Sequence, residues 1–331
     1  MRKIIAMGNA LVDKMTILSN DNILSEIGLP KASMQLVDAE QSAKIQELTA
    51  NFENSLVTGG SAANTIRSLA HLGVESAYIG KVGNDELGKF FRNQMRELNI
   101  FDNIYSSETP TGLAVALVSP DSERTFATYL GAASELKPEE INKEVFQKYD
   151  YIHIEGYLVF NHDLIRKAFE IAHECGLKIA IDMASYNIVD LNREFLLEMI
   201  KKYVHVVFAN EEEARSLTGK LPEDAVHDIA EICDIAVVKI GSEGSIIKQN
   251  NELVRVGVRK TTPVDTTGAG DNYAAGFLYG LANNWSLKQS AQLGTIMASK
   301  VIEVTGTSMD EEAWNYIMQQ KDLIEQGKLE L

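Results

Sequence analysis

The residues best suited to do chemistry lie late in the chain, in Asp265-Thr266-Thr267-Gly268-Ala269-Gly270-Asp271. Tyr273, Ala274, Phe277, Leu278 and Leu281 follow at the spacing of one helical face, so a helix begins directly after Gly270. Small residues at a helix start bring unpaired N–H groups, and the positive end of the helix dipole, close to an anionic oxygen. A carboxylate there, Asp271, is poorly placed to bind a phosphate but well placed to take a proton from a hydroxyl attacking one. The pairing points to phosphoryl transfer. The plainer alternative is a glycine turn with Asp271 as a helix cap, which a lone Gly-x-Gly-Asp would favour.

Elements able to position this turn are legible along the chain. Lys3 to Met7 is a short apolar run ending at Gly8, as expected of a buried strand rather than a signal peptide. Asn9 and Asp13 follow, and Gly8-Asn9-Ala10-Leu11-Val12-Asp13 has one glycine where a dinucleotide fold needs three. Met34 to Asp38 alternates weakly as an added strand, and Ala39 to Phe52 reads as a helix. Gly59 and Gly60 let a substrate approach the backbone ahead of a helix carrying Ser61 and Asn64. The Asn64 amide could meet a sugar hydroxyl, or serve as a cap or core-edge group. Ser76 to Val82 is a strand leading to a helix marked by Leu87, Phe90, Phe91, Met95 and Leu98. Gly112 to Ser119 and Arg124 to Leu130 form a hairpin about Pro120-Asp121-Ser122-Glu123, with Arg124 either reaching substrate or phosphate or standing as a surface charge.

From Asp150 onward strands and helices alternate: Tyr151 to Ile154, Leu164 to Cys175, Lys178 to Ile181, Phe195 to Lys202, Val204 to Phe208 and Ile235 to Ile240. That punctuation predicts a largely parallel sheet covered by helices on both faces. Glu155, Asp182 and Asn210 stand just after strands, where such sheets open their ligand crevice.

The 331 residues carry 31 Lys+Arg against 47 Asp+Glu, a formal net charge of −16, which argues against nucleic acid or an anionic membrane as partner. No apolar run approaches the roughly 18 to 20 residues needed to span a bilayer. Cys175 and Cys233 lack metal-ligand spacing, and the expectation is a reduced, cytoplasmic protein without disulfides.

Seven contiguous residues, Asp265 to Asp271, resemble the C-terminal signature of the ribokinase-like (PfkB) family of carbohydrate and nucleoside kinases. Gly80 to Gly88 resembles the family's N-terminal signature, and the likeness runs from Gly8 to Gly306 with the motifs in order. It implies an α/β fold, a three-layer α/β/α sandwich with a mostly parallel central sheet and a small inserted β-sheet lid. The lid would comprise 13–38 and 105–133, and the body 1–12, 39–104 and 134–331. The lid would close before chemistry, keeping water from ATP.

The resemblance makes Asp271 the catalytic base and Gly268, Ala269 and Gly270 the anion hole. Asn9, Asp13, Gly59, Gly60, Ser61, Asn64, Arg124 and Glu155 would surround the substrate, Asp13 accepting two hydroxyls of a vicinal diol. Asn210-Glu211-Glu212-Glu213 resembles the family's Asn-x-x-Glu motif, in which Asn210 and Glu213 hold Mg2+ through water; an acid-rich helix start is the alternative. Gly241, Ser242 and Gly244 resemble the nucleotide loop, preceded by Lys239 where Thr is usual, either a cation for ATP or a strand-edge lysine. Thr295 would lie near the adenine of ATP, and Asp265, Thr267, Val301 and Gly306 near a monovalent cation such as K+ in many members.

The implied reaction moves the γ-phosphoryl group of ATP to a primary hydroxyl of a small sugar-containing molecule. Ser61 and the run Asp271 to Gly280 look most like bacterial adenosine-kinase-type members, making adenosine the first expectation and a free sugar or sugar acid the second. A non-catalytic nucleotide or nucleoside sensor is the competing class, and Asp271 argues against it. Oligomeric state is left open, a homodimer being one option.

Overall fold

The computed structural model describes residues 2–31, 33–121, 123–329 and 331. Ser122 of the hairpin turn lies outside the described residues. The strands are β1 (Ile4–Met7), β2 (Leu11–Ile17), β3 (Met34–Leu36), β4 (Asn54–Gly59), β5 (Ser76–Gly83), β6 (Phe101–Ser107), β7 (Gly112–Val118), β8 (Arg124–Tyr129), β9 (Tyr151–Glu155), β10 (Lys178–Asp182), β11 (Val206–Asn210), β12 (Ile235–Lys239), β13 (Ser245–Gln249) and β14 (Glu252–Val256). The helices are α1 (Asn22–Ile27), α2 (Ala39–Leu48), α3 (Ser61–His71), α4 (Glu86–Glu97), α5 (Lys143–Phe146), α6 (His162–Glu174), α7 (Tyr186–Tyr203), α8 (Glu211–Thr218), α9 (Pro222–Ala230), α10 (Ala269–Ala282), α11 (Leu287–Val301) and α12 (Glu311–Glu325).

Among the described residues the large sheet has nine strands in the order β14-β13-β12-β11-β10-β9-β1-β5-β6, parallel except for the antiparallel pair β13 and β14 at one edge. Both faces are buried at the central strands β1, β9, β10, β11 and β12, so these are largely apolar and alternate residues serve opposite layers. Ile4, Ala6, Tyr151, Ala180 and Val237 join the layer of α3, α10 and α11. Ile5, Met7, Ile152, Ile154, Ile181 and Val238 join the layer of α6, α7 and α9. By the same parity Glu155, Asp182, Asn210 and Lys239, at the strand ends, emerge on the side of α3 and α10.

A second sheet, β3-β8-β7-β2-β4, stands apart as the small sheet expected from the sequence. One of its faces, with Val12, Leu113, Val115 and Leu117, packs against Ile23 and Leu24 of α1 and Ile45 of α2. Two findings depart from the sequence reading. Asn54–Gly59, placed in the body, pairs antiparallel with β2 and joins the small sheet; its run has only Leu56 and Val57 as apolar residues, too few to signal a strand. Phe101–Ser107, which crosses the expected boundary at 104, pairs with β5 and ends the large sheet.

Helix α10 lies very close to α11. A side chain at Gly276 would place its Cβ 2.6 Å from the Gly294 nitrogen, so backbone meets backbone there. Replacement of Gly276 by Val should therefore lower unfolding free energy by about 1–3 kcal/mol in urea denaturation, and an unchanged midpoint would contradict this packing.

Candidate active site

Helix α10 starts at Ala269, two residues before the point expected from the spacing of Tyr273 to Leu281. Gly268 is its N-cap in the left-handed region, φ 74°. The first helical bond runs from the Asn272 amide to the Gly268 carbonyl. The amides of Gly268, Gly270 and Asp271 find no acceptor among the described residues and are available to an anion. Ala269 differs from the sequence expectation, because its amide is engaged by the Thr266 carbonyl at 3.2 Å.

Asp271 projects toward α3, which holds it from two sides. The Ser61 hydroxyl donates to Oδ1 at 2.7 Å and the Asn64 amide to Oδ2 at 2.9 Å. Thr65 donates to the Asp271 carbonyl and Ser68 to the Asn272 side chain. Ser61 and Asn64, expected to touch substrate, thus first orient Asp271. Asn64 also keeps a buried Oδ1 without a partner, an acceptor open to a hydroxyl.

Burial raises the Asp271 pKa to about 6, against the two donors, which favour the charged form. Glu155 is raised to about 7 by burial, although the Ala62 amide and the Asn9 side chain and amide all donate to it. Asn9 and Glu155 therefore bind each other. Asp13 is raised to about 7 by burial and by the Asp271 charge, with Arg67 opposing. Its Oδ1 lies against Gly59, where a Cβ would stand 2.0 Å away. Gly60 is the N-cap of α3.

At the other end of the crevice, Lys239 reaches from β12 to Asp182 of β10, Nζ to Oδ2 2.9 Å, with the side chains 16% and 8% exposed. Burial works against the ammonium, but Asp182 and Glu213 outweigh it and hold its pKa above the ordinary value. A Cβ at Gly270 would lie 3.1 Å from Lys239 Nζ, so this buried cation stands beside the free amides. Asn210 and Glu213 form a capping box at the start of α8, each side chain bonding the other's backbone amide. Glu213 is buried, and burial and Asp182 raise its pKa to about 7. Glu211 and Glu212 are exposed.

Arg124 turns inward from β8 and pairs with Asp265, donating also to Thr267 Oγ1 at 3.1 Å. Gly241 and Ser242 are exposed at a 3-10 turn that ends at Gly244. Thr295 and Val301 are buried on α11 as packing residues, and Gly306 donates its amide to Asp265. No group of three or more His, Cys, Asp or Glu poised for a metal occurs among the described residues.

Residues 30–314 match the pfkB family carbohydrate kinase profile. The chain belongs to the PfkB kinase family. The adenosine kinase of Sinorhizobium meliloti superposes with a TM-score of 0.85 at 34% identity, covering 96% of this chain and 99% of that one. An uncharacterized sugar kinase of Archaeoglobus fulgidus is 32% identical over 244 residues, 72% of this chain and 95% of its own. The 5-dehydro-2-deoxygluconokinase of Shouchella clausii is 27% identical over 316 residues, 91% and 95% of the two chains. This PfkB kinase is therefore an ATP-using phosphotransferase for small sugars or nucleosides. No helix among the described residues is long and apolar enough to cross a membrane.

Sequence reasoning left the PfkB kinase's Thr65 and Ser68 without a role. They extend Ser61 and Asn64 into a polar stripe at i, i+3, i+4 and i+7, a signal present in the sequence. Asp182 was placed at the crevice, but its bond to Lys239 requires the strand order.

A base must be ionised to act, so kcat/KM should climb with pH through about 6 and drop about tenfold per unit below it. Asp271→Asn should abolish both the limb and the activity. Ser61→Ala or Asn64→Ala removes a bond that favours the carboxylate, so the acid limb should move to higher pH by about one unit. A limb that stays in place in both variants would contradict the assigned hydrogen bonds.

Proposed function

We propose that this PfkB kinase transfers the γ-phosphoryl group of ATP to the primary hydroxyl of adenosine. The observation that carries the choice of a nucleoside is the inner face of the small sheet. Strand register puts Asp13, Met15, Val57, Ala116, Val118, Phe126 and Arg124 on one face. Met15, Ala116 and Val118 form a buried cluster with Val57 and Phe126 packed against it. Asp13 lies at one end, within reach of the Asp271 charge, and Arg124 at the other, paired with Asp265 of the anion-hole loop. An apolar surface with an aromatic ring suits a flat base, while the carboxylate beside it suits the diol of a ribose. A sugar acid would instead bring its negative charge to a pocket holding Asp13, Glu155 and Asp271.

The small sheet acts as a lid, and the acceptor lies between its apolar face and the N-terminus of α10. Asp271 takes the acceptor's hydroxyl proton as that oxygen forms its bond to the γ-phosphorus. The bond from that phosphorus to the bridging oxygen breaks, and ADP leaves. The Gly268 and Gly270 amides meet charge on the transferred group, and Lys239 stands beside them as a fixed cation. Lys239 takes the position where a phosphate chain would otherwise face Asp182 unscreened. Gly241 to Gly244, at the next strand end, border the nucleotide.

Asn210, Glu213 and Asp182 supply only hard oxygen donors, and burial leaves Glu213 short of positive charge, so the residues fit a magnesium ion held through water. When bound, that ion neutralises phosphate charge. The chain's own part is to keep Asn210 and Glu213 locked to each other in the capping box.

The second reading is a sugar-acid kinase, favoured by the likeness to the 5-dehydro-2-deoxygluconokinase. A panel of adenosine, ribose, fructose, 2-keto-3-deoxygluconate and 5-dehydro-2-deoxygluconate, read as ADP formation, separates the two. Adenosine should give the highest kcat/KM, and Phe126→Ala should lower that value about tenfold, because no ring then faces the base. Turnover of a sugar acid but not of adenosine would overturn the proposal. Equal ligand binding by wild type and Asp271→Ala, with no transfer by either, would mark a sensor.

A further inference from the structure

The loop that opens the anion hole carries the residues expected to hold a monovalent cation, and their geometry does not fit one. An ionised carboxylate has about four lone-pair sites. At Asp265 four protein groups fill them: the Thr267 amide at 3.0 Å and the Thr267 hydroxyl at 2.8 Å on Oδ1, and the Gly306 amide and the Arg124 guanidinium on Oδ2. Of the neighbouring carbonyls, Ile302 accepts from the amides of both Val264 and Asp265, and Val301 accepts from the amide of Val304. Arg124 and Asp265 are 10% and 5% exposed, so this is a buried pair and not a surface contact. Burial would raise the Asp265 carboxyl, but Arg124, Thr267 and Gly306 together hold it below the ordinary carboxylate value.

We infer that Arg124 takes the place of a monovalent cation, supplying from the small sheet the positive charge that fixes Asp265, Thr267 and the start of α10. Arg124 is then a positioning residue, and it fixes the anion-hole loop only while the small sheet lies over the crevice. One terminal guanidinium nitrogen, which carries two N–H groups, meets both Asp265 and Thr267. The inference rests on the kinase reading but not on the identity of the acceptor.

The test compares potassium chloride with tetramethylammonium chloride at equal ionic strength, using whichever acceptor turns over. Wild type should keep kcat/KM within about twofold, with the same melting temperature in both salts. Arg124→Met should fall about tenfold or more in tetramethylammonium and recover most of it in potassium. Its melting temperature, measured without substrates, should rise with potassium alone, as linkage requires of an ion that binds the folded state. Wild-type activity or melting that depends on potassium would overturn the inference. So would an Arg124→Met protein whose reduced activity and melting temperature ignore potassium. If that variant does not fold, the two wild-type measurements still decide. Melting needs no acceptor, so failure of the adenosine assignment leaves this arm intact.

Discussion

The pair of hydrogen bonds from Ser61 and Asn64 to Asp271 is the constraint on which the rest of the crevice depends. A carboxylate at the start of α10 is free to rotate toward solvent, where it would cap the helix and do no more. Two donors one helical turn apart on α3 hold it across the gap, and Thr65 and Ser68 secure the backbone and the next side chain. The arrangement needs α3 and α10 side by side on one face of the large sheet. Alternation along β1, β9, β10 and β12 provides that face, and the Gly276–Gly294 contact fixes the distance of the next helix.

Electrostatics explains why the crevice is built for anions although it is itself acidic. Asp13, Glu155, Glu213 and Asp271 all have raised pKa values, chiefly from burial and partly from nearby carboxylates, Asp271 acting on Asp13 and Glu155 and Asp182 on Glu213 and Asp271. Such a cluster favours protons or cations. Lys239, held by Asp182, provides a permanent one beside the free amides. A phosphate at this turn would therefore meet Lys239 and unpaired amides in a chain of net charge −16. The field that matters is set over a few ångströms and not by the molecule as a whole.

Much of this was legible in the residues because it depends on local rules. The helix after Gly270, the alternating second half and the hairpin at Arg124 follow from periodicity and turn chemistry. The strand-end positions of Glu155, Asp182 and Asn210 follow from punctuation. What was not legible depends on pairings between distant segments. Asn54–Gly59 joins the small sheet because β2 offers it an edge, a fact absent from its own composition. Arg124 read equally as substrate contact or surface charge because Asp265 lies 141 positions further on in the numbering. The amide of Ala269 looked available until the Thr266 carbonyl was seen to turn back on it.

The chain passes between the two sheets four times, and two of the junctions are neighbours, outward through Gly8 and Asn9 and back through Gly59 and Gly60. They are stacked so tightly that a Cβ on Gly60 would lie 2.2 Å from the Asn9 carbonyl oxygen. Glu155 ties both together, binding Asn9 on one strand and Ala62 on the other. The other two crossings, before Gly112 and after Tyr129, leave the same end of the small sheet, where Leu11 is in register with Gly59 and Gly112 and Leu113 with Tyr129. A tilt of the small sheet about that end would be least near Asp13 and greatest at the far rim, where Ile17 is 45% exposed. Such a lever arm would separate two tasks, the rim travelling to admit molecules of different bulk while a hydroxyl beside Asp271 stayed near the axis.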